Sequence, residues 1–306
     1  MKQTVLIYTG KEGFAMLTYK SNGDNVISGV VATSLYALRG ATVIITGASG
    51  GFGSELTKQL IKRFSCRVIG IGRTKEKMEA LANSLGKDKK YFKYYLFDVS
   101  DKKKWQSFAK TLEKKGIVPD MLINNAGIMP PLEKFENETS DTVIEVMNTN
   151  FMAPVYSCEA LLPILKRSER PAIVNVSSAA AYSPVIGTAA YSASKGALKN
   201  FTQALCEELD GRVYVGLVCP GFSKTELFRN MKFDEKEKEL LDGIGTDKAD
   251  IAKAIIEGII LKRKLILAGK DAKLMTALSN AAPAHANSLY TKVLKSAKLD
   301  MFGDIE

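Results

Sequence analysis

From Ala41 to about residue 270, short apolar runs alternate with longer segments whose apolar positions recur every three or four residues. The runs at 42–46, 67–71, 91–97, 121–124, 172–177, 213–218 and 264–267 predict strands, and the periodic segments 54–64, 75–85, 102–115, 140–165, 191–209 and 248–261 predict helices. Most of the strand candidates are largely apolar, which implies burial on both faces. Combined with the alternation, this predicts a parallel sheet with helices on each side. The fold class expected is α/β, a doubly wound sheet in a single main domain over residues 34–306. No Pro-, Gly- or Ser-rich linker and no internal repeat interrupts residues 41–270. Residues 1–33 stand apart as an N-terminal extension. Its β-prone runs 14–19 and 26–31 are separated by Lys20-Ser21-Asn22-Gly23-Asp24-Asn25, strong turn chemistry, so a hairpin is expected between them.

Composition narrows the class. The chain has 306 residues, 46% hydrophobic and 25% charged, the balance of an ordinary globular protein. Its longest apolar stretches, 26–38 and 255–261, are too short and interrupted to cross a bilayer. No basic start leads directly into an apolar run with a small-residue cleavage site, so a secretory signal is not expected. Cys66, Cys158, Cys206 and Cys219 are scattered and His285 is the one histidine, which supports neither a zinc site nor a disulfide framework. A cytoplasmic location is expected. The formal charge of +10 sits largely in lysine clusters beside helical segments that also carry acids. Without interleaved aromatics these clusters argue against nucleic acid, leaving solvated faces, anionic ligands or a membrane surface as their use.

The first strand candidate runs from Thr46 straight into Gly47-Ala48-Ser49-Gly50-Gly51-Phe52-Gly53, after which Ser54 opens a helix. Glycines permit a tight strand-to-helix reversal and close backbone approach to a pyrophosphate, and the helix start offers N–H groups and the positive dipole end. Gly47, Ser49, Gly51, Phe52 and Gly53 are therefore candidate cofactor contacts in a Rossmann-type sheet. The second strand candidate leads to Gly72-Arg73, where an NAD site commonly carries a carboxylate. A guanidinium at Arg73 instead suits a 2′-phosphate, so NADP(H) is preferred, with NAD(H) the second choice.

Tyr191 and Lys195 are four residues apart in a segment with helical periodicity, which puts both on one face with Cβ atoms about 6 Å apart. A free tyrosine titrates near about 10. A lysine cation at about 4 Å favours phenolate by on the order of 4 kcal/mol before desolvation subtracts from it. Ser178 follows the strand candidate 172–177, where its hydroxyl could stabilise a substrate oxygen; the alternative for Ser177 or Ser178 is turn capping.

Together Thr46-Gly47-x-x-x-Gly51-x-Gly53, Asn124-Asn125-Ala126-Gly127, Tyr191-x-x-x-Lys195 and Pro220-Gly221 resemble, in order and spacing, the short-chain dehydrogenase/reductase family over roughly residues 38–269. The resemblance implies Tyr191 as general acid or base and Lys195 as the holder of the nicotinamide ribose. It implies Ser178, thirteen residues before Tyr191, as the carbonyl-polarising group in preference to Ser177. Asn150, in preference to Asn148, would help hold a proton-relay water. Asp98 and Val99 would contact adenine. Asn125, Ala126 and Gly127 would line the cofactor, and Pro220, Gly221 and Thr225 would meet the nicotinamide carboxamide. Asn125 has a wholly structural alternative, Thr225 a capping one, and Cys219 is read as packing. Segments 151–165 and 191–209 resemble those that build family homodimers.

Two regions depart from the family pattern. The last strand candidate leads into a helix-prone tail, 270–306, where many members carry a Val-Asp-Gly-Gly-like end used in tetramer packing. Substrate choice is expected from 129–135, from 182–189, where Tyr182, Pro184, Val185 and Ile186 make the approach to Tyr191 mostly apolar, and from a lid over 222–247 with an apolar underside before a charged helix. The function expected is NADP(H)-dependent interconversion of a ketone or other carbonyl and a secondary alcohol on an apolar, steroid- or lipid-like small molecule. The alternative is a non-catalytic NADP(H)-binding sensor or scaffold.

Overall fold

Seven parallel strands form the sheet of the computed structural model, which describes residues 2–8, 14–20, 38–223 and 245–296. They are β3 (Thr42–Thr46), β4 (Arg67–Gly72), β5 (Phe92–Leu96), β6 (Met121–Asn124), β7 (Ala172–Val176), β8 (Tyr214–Pro220) and β9 (Leu265–Ala268). Their order is β5-β4-β3-β6-β7-β8-β9, so the chain winds outward in both directions from the β3–β6 pair. This is the Rossmann-type doubly wound arrangement that the strand and helix pattern predicts. At the reversal the loops after β3 and β6 part, and a crevice opens at the carboxyl ends of the strands.

Alternating side chains distribute the core between the two faces. Val43 and Ile45 of β3 pack with α1 (Gly51–Phe64), α2 (Lys75–Ser84) and α7 (Lys248–Ile260), while Ile44 between them packs with α3 (Lys102–Lys114), α5 (Ala153–Leu165) and α6 (Ala189–Leu209). β6 and β7 are buried along their whole length, which explains their unbroken apolar runs. β5 closes one edge and is only partly covered.

Asp101 starts α3 by accepting from Lys104 N–H at 3.1 Å, and Asp247 starts α7 by accepting from Ala249 N–H at 2.7 Å. Beyond β9, α8 (Lys270–Ala281) and α9 (Ala286–Ser296) pack against one another. Among the described residues, no helix is long and apolar enough to cross a membrane.

One expectation changes. The single helix expected over 140–165 is α4 (Ser140–Met147), a π-helical turn (Asn148–Met152) and then α5, with Ala153 N–H donating to Asn148 O. Pro154 has no N–H to give the carbonyl of Asn150 four residues back, which frees the helix to widen there. In the extension, β2 (Phe14–Lys20) pairs antiparallel with β1 (Lys2–Tyr8), Tyr8 opposite Phe14; the second run of the expected hairpin, 26–31, lies outside the described residues. Thr4, Val5, Ile7 and Tyr8 are strong strand formers, and Gly10 and Gly13 stand between the two runs.

Trp105 joins the core to the crevice. It is fully buried, meets Phe97 edge-on at 5.2 Å, and donates from Nε1 to Val99 O at 2.8 Å. Trp105→Ala is expected to cost about 3–5 kcal/mol of stability. A denaturant midpoint unchanged from wild type would contradict that role for the ring.

Candidate active site

A cleft of about 360 Å³ follows the carboxyl ends of the strands at the switch point. Its floor is fixed where β3 and β6 diverge. Thr46 Oγ1 accepts from the N–H groups of Asn125 and Ala126, each at 2.9 Å, and Asn125 Nδ2 donates to Thr46 O at 2.9 Å. The Asn125 amide is thus engaged in tying the two strand ends together, the structural alternative raised by the sequence.

The glycine turn forms one wall, with Gly47, Ser49, Gly51 and Phe52 lining it. Gly47 has φ +62°, and a Cβ at Gly53 would collide with the carbonyl oxygen of Gly47, so neither position admits a larger residue without moving backbone. Helix α1 begins here with no side-chain cap and no acid in its first turn, leaving its first N–H groups and positive dipole end facing the cleft.

At the far end Arg73 Nη1 stands 3.3 Å from Asp98 Oδ2, so two residues expected to hold different parts of a cofactor hold each other. Both are well exposed. Burial alone would raise the Asp98 carboxyl, but hydrogen bonds from Ser100 N–H and hydroxyl, with the Arg73 charge, hold it below its usual range. Val99 lies beside them in the lining. Lys77 also lines this end and was missed in the sequence; its signal was a second cation one helical turn after Arg73.

The centre gathers four predicted residues. Tyr191 and Lys195 are buried on α6, with Lys195 Nζ 5.8 Å from the tyrosine ring centroid and donating to Val176 O at 3.0 Å. Ser178 accepts from Ala180 N–H at 3.1 Å and lines the cleft with Tyr191, so it both caps its turn and faces the cleft. Ser177 is fastened to Lys195 O at 2.8 Å, which separates the two serines. Asn150, fully buried in the π-helical turn, accepts from Ile128 N–H at 2.8 Å and donates to Ile128 O at 2.9 Å and Ser194 Oγ at 3.0 Å. A Cβ on Gly127 would lie 3.2 Å from both Asn150 Oδ1 and Lys195 Nζ. Asn148 has no such role.

Burial governs the titration of this pair in a way that spacing did not reveal. It pushes the Tyr191 phenol up to about 12, the Ser178 hydrogen bond opposing, and pulls the Lys195 ammonium down to about 8. The free protein therefore holds a neutral phenol beside a cation. Cys219 is buried and pushed up to about 12 by desolvation, so its thiol is unreactive. Pro220 and Gly221 line the cleft; Thr225 and the lid residues 224–244 lie outside the described residues. His285 is exposed, at the start of α9.

The lysine makes a prediction about pH. Folded, Lys195 titrates near about 8, against 10.5 for an ordinary lysine. Below about pH 8 both states carry the proton and the burial penalty is complete. Between there and 10.5 the unfolded chain holds a proton the folded chain has shed, so stability rises with pH. Lys195→Met should therefore be more stable than wild type near pH 7, by at most about 3 kcal/mol, with the gain shrinking towards pH 10. Urea unfolding at the two pH values tests this, and a gap that does not change with pH would refute it.

Residues 41–236 match the family model described as short chain dehydrogenase. The NADP-dependent 3-hydroxy acid dehydrogenase of Schizosaccharomyces pombe is 30% identical over 240 residues, 76% of this chain and 91% of that protein. The 11-beta-hydroxysteroid dehydrogenase 1A of Arabidopsis thaliana is 31% identical over 260 residues, 79% of this chain and 71% of that protein. A solved structure of a short-chain dehydrogenase from Shigella flexneri, complexed with NADP, shares the fold with a TM-score of 0.68 at 23% identity, over 78% of this chain and 98% of that one. With motifs, sheet order and matched length in agreement, the chain belongs to the short-chain dehydrogenase/reductase family and is an oxidoreductase of carbonyl and alcohol substrates.

Proposed function

We propose that this oxidoreductase uses NADP(H) to interconvert a ketone and a secondary alcohol on an apolar, steroid- or lipid-like molecule, with Tyr191 moving the proton. The observation that carries the reading is the meeting of Ser178, Tyr191 and Lys195 in the lining of one cleft, with the Lys195 cation 5.8 Å from the tyrosine ring.

The cleft suits a dinucleotide. Glycine backbone and uncapped α1 N–H groups favour a pyrophosphate, and Arg73 and Lys77 favour a 2′-phosphate at the far end. The Arg73–Asp98 pair is exposed, so exchanging its carboxylate partner for a phosphate costs little. The named NADP dependence of the Schizosaccharomyces pombe relative points the same way. Bound there, NADP(H) supplies or accepts the hydride.

The protein's own groups handle the oxygen and its proton. Ser178 and Tyr191 both line the cleft, where a substrate carbonyl oxygen can accept from both hydroxyls as negative charge builds. In reduction Tyr191 gives up its proton, and in oxidation it takes one back. Lys195, protonated at neutral pH, stabilises the phenolate left behind. Asn150 holds the Gly127–Ile128 backbone against Lys195, a positioning role. Apolar side chains from Met129, Leu132, Val185 and Met275 line the neighbouring end, which supports an apolar substrate.

Tyr191→Phe should lower ketone-dependent NADPH oxidation by about a hundredfold or more while NADPH binding is kept. Equal turnover by that variant would remove Tyr191 from the reaction, and binding without turnover by wild type across a ketone and steroid panel would favour the sensor reading. Arg73→Ala, and more so its combination with Lys77→Ala, should raise the KM for NADPH about tenfold or more with little change for NADH. Equal effects on both cofactors would refute the 2′-phosphate role.

A further inference from the structure

The tail beyond β9 reaches back to both sides of the site. Asp271, in the first turn of α8, accepts through Oδ2 from the backbone N–H of Phe222, directly after the Pro220-Gly221 turn that lines the cleft. One turn further along α8, Met275 enters the cleft lining and packs with Ala179 and Val185, and Ser279 donates to Tyr182 O at 2.7 Å. Helix α8 thus braces the two loops that flank Tyr191.

The fit at Asp271 is tight. The space a Cβ would occupy on Gly221 is filled by both carboxylate oxygens, and a Cβ on Gly269 would meet Oδ1. Gly221 N–H is already engaged with Ala268 O at 2.9 Å, which leaves Phe222 N–H as the group the carboxylate holds. Burial raises the carboxyl above its usual range, and backbone N–H groups of Phe222, Ala272 and Asp271 itself draw it back. Its Oδ2 holds the Phe222 N–H, while Oδ1 is buried against Gly221 and Gly269 with no hydrogen-bond partner among the described residues. An amide would turn its own donor towards the start of α8.

We propose that Asp271 is a positioning residue, a latch that holds the Pro220–Gly221–Phe222 turn against α8 in the shape that receives the nicotinamide end of the cofactor. The proposal rests on the reading of the cleft as a dinucleotide site. It makes the tail, where many family members differ from this chain, part of the cofactor site from behind the turn.

The test is NADPH affinity by fluorescence titration, with thermal melts on the same proteins. Asp271→Ala is expected to weaken NADPH binding about tenfold, the scale of one lost charge-assisted hydrogen bond, and Asp271→Asn to fall between it and wild type. Gly221→Ala should weaken binding similarly, because its methyl displaces the carboxylate. The Gly221→Ala, Asp271→Ala double variant should bind no worse than either single one, since both lesions strike the same contact. If Asp271→Ala does not fold, Asp271→Asn and Gly221→Ala carry the test. Melting points that fall while NADPH affinity stays at the wild-type value would overturn the latch and leave Asp271 a packing residue. Wild-type protein that binds no NADPH would overturn the latch together with the dinucleotide reading beneath it.

Discussion

Where β3 and β6 part company, two strand ends that were hydrogen-bonded neighbours lead their chains to opposite faces of the sheet, and their last backbone groups lose each other as partners. Thr46 and Asn125 supply the replacements: a hydroxyl accepts two N–H groups and an amide reaches back to the β3 end. Buried backbone polar groups left unpaired would oppose folding, so this stitch is what allows a cleft to exist at the centre of the molecule. The glycine turn, the Gly127 segment and the α1 start take their positions from it.

A second polar system lies deeper. Asn124 donates to Asn175 at 2.9 Å, Asn175 to Thr202 at 2.9 Å, and Ser157 to Asn124 at 2.7 Å, joining β6, β7, α5 and α6 inside an otherwise apolar layer. Such a network gains its value from being complete, because low dielectric strengthens each bond and penalises each absence. It fixes α6 relative to the strand ends. Tyr191 and Lys195 are then carried to the cleft by a rigid helix, while Ser178 is held by a capped turn at the end of β7.

Burial gives the centre its chemical character. In water the tyrosine and lysine would titrate close to one another; inside, the phenol moves up and the ammonium down, because desolvation penalises whichever form is charged. The lysine alone is poised near neutrality. A neutral proton donor next to a retained cation is an arrangement for passing a proton to an oxygen that is gaining charge.

Alternation of apolar runs and helical periods was enough to locate all seven strands of the main sheet; the inner strands leave the apolar signature of burial on both faces, and the edge strands β5 and β9 a weaker one. Motif spacing likewise marked the glycine turn and the Ser178, Tyr191 and Lys195 set, because local geometry on a turn or a helix face is written in residue intervals. Other features depended on contacts between segments distant in the chain. The break in the helix at Asn148–Met152, the partner of β2, the Arg73–Asp98 pair, Lys77 in the lining and the engagement of Asp271 with Phe222 carry little periodic signal. The direction of the Tyr191 shift belongs with them. Spacing reports a neighbour's charge, whereas desolvation depends on how many layers of protein finally close over the pair, and only the folded chain decides that.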